Sequence, residues 1–342
     1  MKYDLLVFIG RFQPLHLGHQ EVIERALSLA NKVLVLVGSA NVAPNPRNPF
    51  TYQQRSVWIK SIYPTVETRP LNDHTYNDPA WMVEVQKHVK DLLIPPGKWT
   101  ANGLNDYKIG LIGCEKDHTS YYLKMFPQWG SEGVTFVNPL NATHIRESFF
   151  TSEHNERHIL ASYMHLHTVD WLLEYEKYPN YSVLREAYKF LAEYHKLWGA
   201  GPFLTADSLV QVGGSVLLIK RGKEYGHGLY ALPGGFVNKN ETFKNASLRE
   251  LKEETNLRVP RPVLLGSLRN SKMYDEPHRS ERGRIVTQCY HYVLENDTSF
   301  PEVRGCDDAE WAGFKEISWI LDNPRLFFED HYHIIKNMLG VS

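Results

Sequence analysis

The stretch LLVFIGRFQPLHLGH (residues 5–19) decides the fold of the first half of the chain. Its apolar start, LLVFI, predicts a buried strand, and HQEVIERALSLA (19–30) carries apolar residues at helical spacing. Between strand and helix lie two glycines, a proline, His16 and His19. In an open α/β sheet this position binds phosphate, because the helix N-terminus presents backbone amides and the positive end of its dipole. The stretch therefore predicts a phosphate cradle for a nucleotide.

The individual residues of this loop suit that role. Gly10 allows a tight turn, Pro14 restricts the loop, and Gly18 lets a phosphate approach the first helical turn closely. His16 and His19 share one face of that turn, where two imidazoles can donate hydrogen bonds to phosphate oxygens. The alternative, that the histidines only cap the helix, explains one histidine better than it explains the whole string.

The rest of the first half alternates strands and helices. Apolar runs predict buried strands at 33–39, 107–113 and 134–140, and helical spacing predicts helices at 53–63 and 79–93. Strands that are apolar on both faces and alternate with helices favour a parallel sheet covered on each side. We therefore expect an α/β fold for this half.

The pattern changes near residue 180. KYPNY (177–181) interrupts the helical pattern, and SVLREAYKFLAEYHKLW (182–198) predicts one amphipathic helix. Strand-like runs separated by glycine and proline follow it. Because 342 residues are too many for one ordinary core, we expect two domains, 1–180 and 181–342.

The bulk composition excludes several classes of protein. The chain is 42% hydrophobic and 23% charged, with a formal net charge of −1, so it is globular and has no basic field for nucleic acid. No signal peptide and no membrane-spanning run is apparent. Cys114, Cys289 and Cys306 are too scattered for a disulfide framework, and the sequons at Asn141 and Asn240 fall inside motifs. We expect a cytoplasmic protein without a membrane or nucleic-acid partner, and we leave open whether it forms a homo-oligomer.

A second motif lies in GFVNKNETFKNASLRELKEETNL (235–257). On a helix, Glu250, Glu253 and Glu254 share a face, while Leu248 and Leu251 point elsewhere and can anchor the helix in a core. Like charges at this spacing destabilise a helix unless a cation collects them, and oxygen ligands suit Mg²⁺ or Mn²⁺. The alternative is a solvated acidic helix.

The first motif resembles the HxGH nucleotidyltransferases, and more closely the archaeal-type nicotinamide mononucleotide (NMN) adenylyltransferases, over most of the first 150 residues. GSANVAPNPRNPFT (38–51) is similar to that family's second signature, and NATHIRESF (141–149) to its third, with Asn141 and Ala142 in place of Ser and Gly. The resemblance implies a Rossmann-like domain in which the phosphate of NMN attacks ATP, with Mg²⁺ on the leaving phosphates. It implies catalytic roles for His16, His19 and Arg146, and substrate contacts for Gly10, Arg11, Phe12, Gly18, Gly38, Arg47, Asp73, Trp81 and Thr143.

Two other classes share the HxGH motif. Class I aminoacyl-tRNA synthetases also need a KMSKS-like loop and a tRNA-binding surface, and neither is apparent here. Nucleotidyltransferases for phosphopantetheine or phosphocholine stay open, although the GRFQP start, RNPF (47–50) and Trp81 favour the nicotinamide nucleotide.

The second motif matches the Nudix box, Gx5Ex7REUxEExGU, in which U is aliphatic. Asn256 replaces the last glycine, and we expect the fold to tolerate it because Asn adopts the left-handed conformation more readily than other non-glycine residues. The resemblance implies an α/β/α sandwich over about 202–340. It implies metal ligands at the Gly234 carbonyl, Glu250, Glu253 and Glu254. Arg249 would orient a glutamate, and the base that activates water would be Glu253, Glu276 or Glu281.

The loop DEPHRSERGR (275–284) is similar to a segment of Nudix enzymes that hydrolyse ADP-ribose, and VRGCDDAEWAGF (303–314) to another. Arg279, Arg282 and Arg284 would then meet a diphosphate or a ribose phosphate. The alternative is a solvated basic loop.

Together the halves resemble bifunctional adenylyltransferase–Nudix proteins. The resemblance implies that ATP and NMN give NAD and pyrophosphate, and that ADP-ribose is cleaved to AMP and ribose 5-phosphate. Two alternatives remain for the Nudix half: another dinucleotide as substrate, or an ADP-ribose sensor without hydrolysis. A sensor would usually carry a degraded box and a DNA-binding module, so the retained box favours the enzyme.

Overall fold

The computed structural model describes residues 1–98, 100–113, 122–134, 140–153, 157–222, 225–295 and 300–341. Contacts within the chain divide it into two units, Met1–Arg185 and Glu186–Ser342. The division falls within a helix, Pro179–Trp198. Each unit has its own sheet and is described by itself.

The first unit is a parallel sheet with helices between its strands. The strands are β1 Tyr3–Gly10, β2 Ala30–Val37, β3 Glu67–Pro70, β4 Ile109–Gly113 and β5 Gly130–Gly133. Its helices are α1 Leu17–Leu29, α2 Tyr52–Ile62, α3 Asp78–Leu93, α4 Ala142–Thr151, α5 Arg157–Ala161 and α6 Leu166–Tyr175, with a 3-10 turn at Gly103–Asp106. The strand order is β3-β2-β1-β4-β5, and every pairing is parallel. The predicted Rossmann-like α/β class is confirmed for this unit.

The strand order positions the first motif. The connections reverse direction at β1, which pairs with β2 on one side and β4 on the other. Ligands bind beyond the carboxyl ends of the strands at such a switch point. Leu5, Val7 and Ile9 of β1 are buried in a core with Val85 and Val89 of α3. This core holds the carboxyl end of β1, and therefore the histidine loop, in place.

One sequence expectation about element bounds differs from the structure, and another lies mostly outside the described residues. The strand expected at 134–140 contains residues 135–139, which lie outside the described residues, and the structure has a strand at Gly130–Gly133. The sequence GSEG carries no apolar pattern, so its strand character comes from pairing with β4. The helix expected to start at Ser182 begins at Pro179, because proline suits a first helical turn, where no amide donor is needed.

The second unit is a mixed sheet with helices. Its strands are β6 Phe203–Val212, β7 Ser215–Arg221, β8 Tyr230–Ala231, β9 Gly234–Phe236, β10 Leu268–Tyr274, β11 Ile285–Leu294 and β12 Ala309–Glu316. The helices from α7 onward are α7 Pro179–Trp198, α8 Phe243–Thr255, α9 Arg261–Gly266, α10 Ile317–Asp322 and α11 His331–Leu339, with a 3-10 turn at Pro324–Leu326. The order is β10-β11-β6-β7-β12, with β8 on β7 and β9 on β6. Leu248 and Leu251 anchor α8 in the core, as predicted.

No helix among the described residues is long and apolar enough to cross a membrane. Cys289 is buried, Cys306 is half-buried, and neither forms a disulfide. Cys114 lies outside the described residues.

Candidate active sites

The two histidines of the first site form a stacked pair at the start of α1. His16 is the N-cap residue, and its backbone amide donates a hydrogen bond to Nδ1 of His19 over 3.3 Å. The ring centroids lie 3.7 Å apart. Because Nδ1 of His19 accepts this bond, the proton of its neutral ring lies on Nε2, where it can be donated. The structure thus brings both histidines to one face, as the spacing predicts.

The glycines around the histidines have different structural roles. A Cβ on Gly10 would lie 3.0 Å from the ring of Phe12, a residue that itself adopts a positive φ of 53°. The amide of Gly38 donates to the carbonyl of Gly10 over 2.8 Å, which joins the ends of β1 and β2. Gly18 is buried in the first turn of α1. The packing of Phe12 against Gly10 and His19, whose ring centroid is 4.7 Å away, sets the shape of the loop.

Arg146 lies beneath the loops of the first site. Its side chain is buried, and it donates to the carbonyls of Gln13 and Pro46 over 2.7 and 3.1 Å and to Oγ1 of Thr143 over 3.3 Å. Asn141 caps α4 by accepting the amide of Thr143 over 2.9 Å, so asparagine replaces the expected serine as a cap. Arg11 and Arg47 are half-buried.

Asp73 and Trp81 lie in and after the loop that follows β3. The amide of Asp73 donates to Oδ1 of Asn41 over 2.8 Å, and its carboxylate accepts the hydroxyl of Ser39 over 3.1 Å. The half-buried Trp81 packs against the core, with its ring 6.1 Å from that of Phe126. The indole therefore contributes to packing while part of its surface stays accessible.

Sequence reasoning missed two buried polar residues here. Arg55 of α2 is 1% exposed and donates to the carbonyl of Arg11, in the loop after β1, and to the carbonyl of Gly38, in the loop after β2. The amide of Gln13 both donates to and accepts from the backbone of Phe50. A signal for Arg55 did exist, because it shares the apolar face of α2 with Trp58 and Ile59.

In the second site, Arg249 holds the carboxylates of the Nudix box. It donates to both carboxylate oxygens of Glu241 over 2.9 and 2.8 Å, to Glu250 over 2.6 Å and to Glu253 over 2.9 Å. It also donates to the carbonyl of Phe236 over 3.0 Å. Arg249 therefore orients glutamates, as the resemblance implies, and acts here as a positioning residue.

Glu254 is the most buried of the three helix carboxylates. It accepts the amide of Gly234 over 2.9 Å. Burial raises its pKa to about 8, opposed by the Gly234 amide and assisted by the charge of Glu250. Burial also raises the pKa of Glu250, although Arg249 opposes that shift. The carboxylates of Glu250 and Glu254 are therefore both poorly solvated.

The ligand set of the box fits a hard divalent cation. A Cβ on Gly235 would lie 2.6 Å from the carboxylate of Glu250, so glycine is needed beside the carboxylates. The donors are all oxygens, and a cation would offset the charge of buried Glu250 and Glu254. Within the described part of the chain, no three His, Cys, Asp or Glu residues converge as a preformed metal site. Arg249 instead holds Glu250 and Glu253.

The three arginines of the 275–284 loop have different partners. Arg279 forms a buried two-point ion pair with Asp330, over 2.9 and 2.7 Å. Arg282 pairs with Glu329 over 3.1 Å. Arg284 donates from its guanidinium to the carbonyl of Asp275. Arg279 and Arg282 line a pocket with Gly234 and Gly235, whereas the guanidinium of Arg284 is directed to the loop itself.

Asp207, Arg221 and His331 also line this pocket, and sequence reasoning missed them. Burial raises the pKa of Asp207 to about 6 and lowers that of His331 to about 3. The guanidinium of Arg221 lies 4.1 Å from the ring centre of Phe328. They come from separate strands and from the start of α11, so no local spacing indicates them.

The three candidates for the base that activates water, Glu253, Glu276 and Glu281, have different environments. The carboxylate of Glu276 accepts the amide of His278 over 3.3 Å, and the carbonyl of Glu281 is 3.1 Å from Nε2 of His195. The side chain of Glu253 is 46% exposed, apart from its contact with Arg249. The choice among the three stays a prediction.

Comparison with known proteins finds relatives of both halves of the chain. Residues 7–90 match the cytidylyltransferase-like family, and residues 203–338 match the NUDIX domain. The chain is 31% identical to the nicotinamide/nicotinic acid mononucleotide adenylyltransferase of Acinetobacter baylyi over 193 residues, which cover 55% of this chain and 95% of that one. It is 36% identical to the ADP-ribose pyrophosphatase of Methanocaldococcus jannaschii over 138 residues, 40% of this chain and 73% of that one.

One solved protein is similar over the whole length. The crystal structure of a bifunctional NMN adenylyltransferase/ADP ribose pyrophosphatase from Francisella tularensis covers 99% of both chains, with 33% identity and a TM-score of 0.88. The same protein complexed with AMP and a manganese ion gives a TM-score of 0.87. This chain therefore belongs to the family of bifunctional NMN adenylyltransferase/ADP-ribose pyrophosphatase proteins.

Proposed function

We propose that this chain catalyses two reactions of NAD metabolism. The first unit transfers AMP from ATP to NMN, giving NAD and pyrophosphate, and the second hydrolyses ADP-ribose to AMP and ribose 5-phosphate. The observation that carries the proposal is similarity to a bifunctional protein over 99% of both chains. Both motifs lie within that length, with the stacked histidines in one unit and the buried box carboxylates in the other.

In the first reaction, nucleophile and electrophile both come from the substrates. The protein aligns them and stabilises the charge that develops on the phosphates. We assign His16, His19, Arg11, Arg47 and Arg146 as donors to the phosphates, and Arg146 also binds the carbonyls of Gln13 and Pro46 in the loops. In addition, we assign Trp81 to stacking on the nicotinamide ring, Asp73 and Thr143 to substrate contacts, and the backbone of Gly10, Phe12, Gly18 and Gly38 to the phosphate loop.

In the second reaction, the Gly234 carbonyl, Glu250, Glu253 and Glu254 would hold a divalent cation, Mg²⁺ or Mn²⁺. Such an ion supplies positive charge at a diphosphate and lowers the pKa of an attacking water. Arg249 orients Glu250 and Glu253 by direct hydrogen bonds. Arg279, Arg282 and Arg284 are assigned to the diphosphate and terminal ribose, and Glu253, Glu276 and Glu281 are the candidates for the base.

The chain is assigned to the cytoplasm, because the sequons at Asn141 and Asn240 fall inside the site motifs, where a glycan would block them. The formal net charge of −1 gives no general attraction to nucleic acid. We therefore propose nucleotides as the partners.

The test incubates the purified full chain with Mg²⁺ or Mn²⁺ and identifies the products by chromatography. One arm receives ATP with NMN or its acid form, and the other receives a panel of diphosphates that includes ADP-ribose. We expect NAD and pyrophosphate from the first arm, AMP and ribose 5-phosphate from the second, and loss of the second with a chelator. Intact ADP-ribose, or preferred cleavage of another dinucleotide, would contradict the assignment of the second unit.

A further inference from the structure

Arg55 joins the two loops that carry the predicted phosphate contacts. The first loop, 11–16, follows β1, and the second, 38–51, follows β2. One terminal nitrogen of Arg55 donates to the carbonyls of Arg11 and Gly38, over 2.6 Å each. The other donates to the carbonyl of Ser39 over 3.2 Å, and Nε donates to Thr51 over 3.2 Å. One planar guanidinium therefore binds both loops at once.

The burial of Arg55 determines what it can do. Only 1% of the residue is exposed, and its side-chain nitrogens donate to backbone carbonyls of both loops. Placing a cation in such a position is unfavourable unless hydrogen bonds compensate it. With its fork directed at carbonyls inside the protein, Arg55 does not face a ligand in this arrangement. Its effect on a reaction would pass through the loops.

One of the carbonyls that Arg55 binds belongs to a residue with an unfavourable backbone conformation. Ser39 has a positive φ of 50°, which is unfavourable for a residue with a Cβ. The hydroxyl of Ser39 donates to Asp73, so Arg55 is connected to the third loop of this edge as well. The carbonyl of Arg11 belongs to the same residue whose side chain we assign to phosphate. Fixing these peptide planes fixes the directions of the side chains.

We infer that Arg55 is a positioning residue for nucleotidyl transfer, an inference that rests on the proposed NAD synthesis. Arg146 ties the same loops at other points, the carbonyls of Gln13 and Pro46. Because that second tie remains, replacing Arg55 should disturb the alignment of the loops more than the fold. A lysine keeps the charge but lacks the planar fork, so it cannot reproduce the donor geometry.

The experiment compares Arg55→Lys and Arg55→Gln with Lys60→Gln, a control on the same helix at an exposed position. The readouts are kcat and KM for NAD synthesis, thermal melting of each unit, and ADP-ribose hydrolysis. We expect kcat for NAD synthesis to fall by roughly 10- to 100-fold in Arg55→Lys, as small misplacements of aligned groups do. KM should change less, hydrolysis should stay near the control, and each unit should still show a cooperative melting transition, at a lowered temperature for the first unit.

Each outcome supports or overturns the positioning role of Arg55. Wild-type kcat in a folded Arg55→Lys protein would overturn the inference, since the fork would then be dispensable. Loss of the melting transition of the first unit in both Arg55 variants would also overturn it, because the role would be structural. If wild type and Lys60→Gln make no NAD, the proposed function fails instead, which separates the two claims.

Discussion

Replacing Arg249 by lysine tests the reasoning about the second site in most detail. Arg249 makes four hydrogen bonds to three carboxylates and one to the carbonyl of Phe236. A lysine ammonium is a point charge that cannot form the two-point contact with Glu241 and still reach Glu250. Glu250 should therefore lose its fixed direction, and hydrolysis of ADP-ribose should fall.

The size of the effect follows from the exposure of the partners. The side chain of Glu253 is 46% exposed, so its bond contributes little, because water screens such pairs. Glu241 and Glu250 are only 15% and 14% exposed. A charged hydrogen bond contributes about 1.5–3 kcal/mol, and solvent screening of the 28% exposed Arg249 reduces the combined loss of two such bonds to about 2–3 kcal/mol. If this loss appears in the transition state, kcat/KM for hydrolysis falls by roughly 30- to 160-fold.

The assay measures hydrolysis, NAD synthesis and melting on Arg249→Lys and on a matched control, Arg258→Lys. Arg258 pairs with Glu302, but these side chains are 70% and 74% exposed, so the control should behave as wild type. Wild-type hydrolysis by a folded Arg249→Lys protein would refute the positioning role. An equal fall in NAD synthesis would mean that the damage is not local.

Further predictions concern both units. His16→Ala should lower kcat for NAD synthesis by roughly a hundredfold, since a preorganised donor to transition-state charge contributes that much, and steady-state kinetics would measure it. Trp81→Ala should raise KM for NMN far more than KM for ATP, because stacking involves one substrate; equal changes would assign Trp81 to the core. Asn256 has a φ of 44° at the end of α8, a conformation that is unfavourable for alanine. Asn256→Ala should therefore lower the free energy of unfolding, measured in urea, by about 1 kcal/mol, whereas Asn256→Gly should not lower it. Burial alone would raise the pKa of Glu84, but hydrogen bonds from His74 and other donors outweigh it and lower the pKa to about 2. Its folded pKa is below the usual 4.5, so its stabilisation is present above that pH and is lost as pH falls towards 2. Melting curves across this range should therefore vary less with pH in Glu84→Gln than in wild type.

The motifs within one strand, loop and helix could be predicted from the sequence, because their geometry depends on nearby residues. The spacing of His16 and His19 places them on one turn, and the structure stacks them. The expectation for Asn256 is confirmed, since it ends α8 in the left-handed region. The prediction that Leu248 and Leu251 anchor α8 in the core is also confirmed, because both residues are buried in the core.

Contacts between distant segments could not be predicted in this way. The pairing of Arg279 with Asp330 could not be predicted from its loop, because Asp330 lies 51 residues later in the chain. Asp207, Arg221 and His331 meet in one pocket because the sheet brings their strands and α11 together. The guanidinium of Arg55 donates to backbone carbonyls, which every type of residue carries. The residue types at these positions therefore do not indicate the contacts.

The central claim is that one chain carries two separate active sites, and measuring both activities on Glu254→Gln and His19→Ala tests it most directly. Glu254→Gln removes a buried carboxylate from the box, so ADP-ribose hydrolysis should collapse while NAD synthesis stays within about twofold, as independent sites rarely couple more strongly. His19→Ala should give the reverse pattern, with melting curves confirming that both proteins are folded. Intact hydrolysis in Glu254→Gln, or loss of NAD synthesis in that folded variant, would contradict the account.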